Sequence, residues 1–196
     1  MEFLQAPVLG VAAGLNPYVT VALTALFAWR SDFVTPNPAF EFVGTSAVFL
    51  IALLLLPIDL FADKFPGSGG LMDRVGWVLR PVAGGLAGAA VMPDHPAAII
   101  GGLVLGAVAA AGIHGLRLHL RRRLQWRMLG FGRLVLGAYS DLTSGIVAAV
   151  ALLTAPIGAV IAALALAGAL LANRQWGAVE PTADAPDEPD GGNAGA

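Results

Sequence analysis

The chain has no cysteine, and only 12% of its 196 residues are charged, about half the roughly 25% usual in a soluble domain. The missing thiols exclude a structural disulfide, a zinc–thiolate site, an iron–sulfur cluster and a cysteine nucleophile. The shortage of charge leaves too little polar surface to face water on all sides. A formal net charge of -2 carries no basic excess that would make nucleic acid a partner. Enzyme signatures are missing as well: Gly67-Ser68-Gly69 is loop chemistry, and there is no H-E-x-x-H, P-loop or dinucleotide fingerprint. The scattered histidines His95, His114 and His119 make no metal set. No catalytic residue, cofactor or metal is therefore expected.

What the chain has is apolar length, with 57% hydrophobic residues and a mean hydropathy of +0.77. Six stretches approach the span of about 20 residues that crosses a bilayer: Phe3–Trp29, Glu41–Phe61, Val75–Met92, Ala97–Leu116, Leu134–Thr154 and Pro156–Ala172. Nothing alternates as barrel strands do, so the expected fold is all-α, a polytopic membrane bundle of about six segments over 1–176. Gly177–Ala196, with five acids and no base, is expected to be a disordered acidic tail. Met1-Glu2 places an acid where a signal peptide carries bases, so the first segment is expected to remain in the protein.

If all six segments cross, one side holds Lys64, Arg74, Arg117, Arg121, Arg122, Arg123, Arg127, Arg133 and Arg174, and the other only Arg30. The positive-inside bias makes the first side cytoplasmic, with both termini. Gly14-Leu15-Asn16-Pro17 interrupts the first segment, because proline lacks the N–H that a helix needs. A broken spanning helix is the favoured reading of that break; a re-entrant hairpin is the alternative, and it would place the N-terminus outside without moving another loop. Six segments also allow a three-plus-three inverted arrangement, although no repeat is visible in the residues.

Three clusters bear on function. Asn16, Tyr18, Thr20 and Thr24 at the break, with Asp141 two turns into the fifth segment, are candidates to line a path for an ion or polar solute; packing of a kink is the alternative. Asp59, Asp63, Lys64, Asp73 and Arg80 form a candidate cytoplasmic gate or ion-pair clamp, with Arg80 expected to pair with Asp59 or Asp63. From His114 to Arg133 the chain reads as a basic amphipathic extension, whose Arg117, Arg121, Arg122, Arg123 and Arg127 would meet anionic lipid of the inner leaflet. The pairs Gly10/Gly14, Gly84/Gly88 and Gly102/Gly106 fit small-xxx-small packing, within one chain first, with a homo-oligomer left open.

Gly14-Leu15-Asn16-Pro17-Tyr18, Asp63-Lys64-Phe65-Pro66-Gly67, Asp73 and Arg80-Pro81-Val82-Ala83-Gly84 together resemble the bacterial integral-membrane family called domain-of-unknown-function family 4126. The resemblance extends to about Ala172 and implies a multi-pass inner-membrane protein. The family pattern carries an acid after the Pro-Gly and a histidine before the Arg-Pro, where this chain has Ser68-Gly69 and Gly76. Of an acidic pair at Ser140-Asp141, only Asp141 is kept, so no strictly required acid–histidine relay is implied. The leading expectation is a small transporter or channel-like protein. A structural or assembly protein that binds lipid or a partner is the competing class, and a lipid-headgroup enzyme the third.

Overall fold

In the computed structural model the described residues are 2–31, 34–62, 69–125 and 131–177; side chains at 2, 58–62, 69–72, 121–125, 131–136, 172–173 and 175–177 are outside that description. Among the described residues the chain is all-helical: α1 (Gln5–Leu15), α2 (Pro17–Arg30), α3 (Ser46–Ala62), α4 (Gly69–Ala90), α5 (Pro96–Gln125), α6 (Phe131–Leu153) and α7 (Ala155–Gly177), with 3₁₀ segments at Glu2–Leu4 and Pro38–Gly44. The tail after 177 lies outside the described residues.

The described interior is rich in alanine, glycine and hydroxyl residues, with Val8, Leu9, Val147 and Leu152 among them, while Leu54, Ile100, Val108, Leu142 and Leu164 stand exposed. Small residues let backbones touch. A Cβ on Gly84 would lie 2.7 Å from the Gly106 carbonyl oxygen, one on Gly88 2.6 Å from that of Gly102, and one on Gly14 2.7 Å from that of Ala110. All three expected glycine pairs thus meet one another, joining α1, α4 and α5 within one chain.

By length and composition, Pro96–Leu120 is the one described helix able to cross a membrane alone. Pro38–Gly44 with Ser46–Pro57, bent by 53°, passes as a pair, and Gln5–Leu15, Gly137–Leu153 and Ala155–Leu171 are shorter apolar helices. The inverted arrangement finds no support, because α5, which would match the broken first segment, is continuous from Pro96 to Gln125.

The first segment is a hairpin, which corrects the favoured reading of a broken span. Along α6, contacts with α1 run backwards: Ser140 reaches Leu15, Ser144 reaches Ala12, and Ala151 accepts from Gln5. Those with α2 run forwards, since Val19 faces Gly145, and Leu23, Phe27 and Ala28 pack on the cluster formed by Val8, Leu9, Val147, Ala151 and Leu152. In one straight helix Phe27 would lie about 27 Å beyond Leu9, at 1.5 Å per residue. The two helices instead lie antiparallel, and both outer ends meet the end of α4. Ala6 faces Gly88, and Asn37 beyond α2 donates to the Ala89 carbonyl at 2.6 Å. The turn at Asn16 lies level with Arg80 and Ser140, near the middle of α4 and α6.

Candidate functional site

The hairpin tip can be followed bond by bond. In a continuous helix the carbonyls of Ala13, Gly14 and Leu15 would accept from residues 17, 18 and 19. Pro17 has no N–H, and the other two amides turn away: Tyr18 and Val19 donate to Asn16 Oδ1 at 3.0 and 3.1 Å, an N-cap for α2. The carbonyls of Gly14 and Leu15 are met by Arg80 Nη1 from α4, at 2.7 Å for Gly14. Leu15 also accepts from Ser140 Oγ at 3.0 Å. A cation at the C-terminal pole of α1 is favourably placed against the helix dipole.

On the α2 side, Asn16 Nδ2 donates to Asp141 Oδ1 at 2.8 Å. Ser144 Oγ lies 2.9 and 3.1 Å from the Ala12 and Asn16 carbonyls, its one O–H shared between them, and 3.3 Å from Thr20 Oγ1. Thr20 and Thr24 hydroxyls return to the Asn16 and Thr20 carbonyls. Asn16, Thr20, Thr24, Ser140, Ser144 and Arg80 are buried, whereas Tyr18 and Asp141 are half-buried. The tip therefore presents opposite helix poles side by side, one covered by a guanidinium and the other tied through Asn16 to a carboxylate.

The structure brings together the expected Asn16, Thr20, Thr24 and Asp141. Arg80, expected in the gate, reaches the tip; its expected pairing with Asp59 or Asp63 falls on side chains outside the described set. The side chain of Asp59 and the residues Asp63, Lys64 and Arg127 are outside the described set, as are the side chains of Arg121, Arg122 and Arg123. Arg117 is corrected: it is 7% exposed and faces the interior, not an outer lipid-facing flank. Ser140 and Ser144 were not singled out, although four residues apart and flanking Asp141 they share a face with Ala148 and Ala151.

Below the tip, His114 of α5 is buried, with Nε2 3.2 Å from the Asp73 carbonyl and its ring edge-on to Trp77 at 5.1 Å between centroids. It fits because position 76 is glycine; a Cβ there would lie 2.7 Å from His114 Cε1 and 3.3 Å from Arg80 Nε. Where the resemblance implies a histidine on α4, an imidazole arrives from α5.

Replacing Asn16 by alanine removes the cap and the bond to Asp141. A loss on the order of 2 kcal/mol in thermal unfolding is expected, and Asn16→Ser, which keeps a capping oxygen, should lose less.

A family model described as Domain of unknown function (DUF4126) matches residues 4–175, and the chain belongs to that family. No curated protein and no solved structure matches it.

Proposed function

Taking that membership as a premise, we propose that the chain is a non-enzymatic multi-pass protein of the bacterial inner membrane that passes an ion or small polar solute at the hairpin tip. Five helices, α3 to α7, would cross, and α1–α2 would enter and return from the outer face. The positive-inside bias places the ends rich in arginine, with Arg121, Arg122, Arg123 and Arg127, against anionic lipid on the cytoplasmic side. The hairpin then puts the N-terminus outside and leaves the other loops where the charge bias has them.

The observation that carries this reading is the depth of the tip. Irregular backbone at mid-bundle is tolerated in a membrane where protein surrounds it or a polar cavity adjoins it. Paired half-helix poles at that depth are the arrangement by which discontinuous helices bind solutes. The exposed leucine, isoleucine and valine on α3, α5 and α7 support a lipid surround.

The test uses the absence of native cysteine. Single cysteines at Tyr18 and Asp141 are expected to react with a membrane-impermeant thiol reagent in intact vesicles, because a hydrated thiol ionises; cysteines at Leu54 and Leu164 should stay unlabelled. Silence at Tyr18 and Asp141 from both sides would sink the transport reading. The second reading, a structural or assembly protein, is favoured by the internal partners of Asn16, Thr20, Thr24 and Ser144, and the same silence would support it.

A further inference from the structure

We propose that Arg80, Arg117 and His114 build a site for a phosphate group that carries a hydroxyl, placed between α4 and α5 below the hairpin tip. Three observations converge on it. Arg80 and Arg117 are both buried, on facing helices, and each lies close enough to act electrostatically on His114, as does the Asp73 carboxylate, which leaves one net positive charge around the ring. Arg117 stands one turn beyond His114 on the same helix, and Arg80 Nε and the His114 ring both border Gly76. Two buried arginines beside one imidazole favour an oxyanion, since a planar guanidinium fork matches its geometry. Both arginines have further protein contacts, so the anion adds to a network already ordered.

The imidazole supplies the selectivity. With Nε2 donating to the Asp73 carbonyl, Nδ1 is left as an acceptor, and it is buried without a hydrogen-bond partner. A buried acceptor lacking a donor is a standing cost, and a neighbouring guanidinium oxyanion that brings its own O–H removes it. Hydrogenphosphate and the monoester headgroup of phosphatidic acid have that hydroxyl at neutral pH. Sulfate and the methyl diester headgroup of phosphatidylmethanol present phosphate-like oxygens and no hydroxyl. The inference deepens the transport reading by giving its solute a chemical class, and it can fail separately, because binding is read without any flux.

The experiment is thermal unfolding of the purified full chain in mild detergent, titrated with inorganic phosphate and, separately, sodium sulfate at matched ionic strength, then with phosphatidic acid or phosphatidylmethanol micelles. Phosphate or phosphatidic acid should raise the midpoint, with sulfate or phosphatidylmethanol needing about tenfold more for the same rise, the factor set by one unmet buried hydrogen bond. A response to phosphatidic acid alone names lipid as the source, and a response to phosphate alone names an aqueous solute. Arg117→Gln should abolish the rise, and His114→Phe should erase the preference while keeping a rise. Where His114→Phe does not fold, calorimetric titration of phosphate against sulfate on the unmodified chain decides the same point. Equal responses to phosphate and sulfate in the unmodified chain, or a full phosphate response in Arg117→Gln, would overturn the proposal.

Discussion

Gly106→Ala is expected to destabilise the chain strongly, while Gly101→Ala and Gly112→Ala on the same helix stabilise it. A Cβ at 106 would fall on the carbonyl of Gly84 and its carbon, whereas nothing lies within 4 Å of one at 101 or 112. The obstacle at 106 is backbone on both sides, so no rotamer change relieves it, and α4 must move away from α5. Overpacking of a tight core costs about 1–3 kcal/mol. Displacement here also reaches the contact between Gly10 and Gly106, and the expected loss is at the upper end of that range. At the open positions only helix propensity acts, and replacing glycine by alanine gains on the order of 0.5–1 kcal/mol. Unfolding midpoints of the three variants in detergent check the sign reversal. A uniform gain would mean that α4 and α5 are not in backbone contact.

The residues declare the helices more plainly than their directions. Asn16-Pro17 marks a break because its chemistry is local: one residue lacks an N–H and its neighbour caps. Whether the chain then continues or returns depends on α6, where Ser140, Ser144 and Ala151 meet α1 in one order and Gly145 meets α2 in the other. Hydropathy is the same for both directions, so a broken span and a hairpin read alike. Arg117 was misplaced for a related reason. An amphipathic reading shows that a helix has two faces but not which one the bundle takes, and here Leu118 is buried beside Arg117. The cue was available in Ala110 and His114, which lie on the buried side of α5 together with Arg117. Asp141 was legible as an interior acid because an ionisable group in an apolar segment needs a partner. That its partner is the Asn16 amide depends on the register of α1 against α6, which local sequence does not encode.

Arg80→Leu should remove about 2–4 kcal/mol of stability, since it strips the Gly14 and Leu15 carbonyls of a charged donor in the interior, where each unmet group costs about 1–3 kcal/mol. Arg80→Lys should recover part of that loss: an ammonium on a shorter, unforked head reaches one carbonyl in place of two. Ser140→Ala alone is expected to cost about 1 kcal/mol or less, because Leu15 keeps its guanidinium donor. The informative variant is the pair. With both donors gone the Leu15 carbonyl is left bare at mid-bundle, so the double substitution should lose more than the sum of the single losses, by on the order of 1 kcal/mol. Thermal unfolding of the four proteins closes the cycle. Strict additivity would mean that Arg80 and Ser140 do not share the Leu15 carbonyl, and the tip would then be held by the Asn16 cap and the Ser144 hydroxyl without the guanidinium clamp.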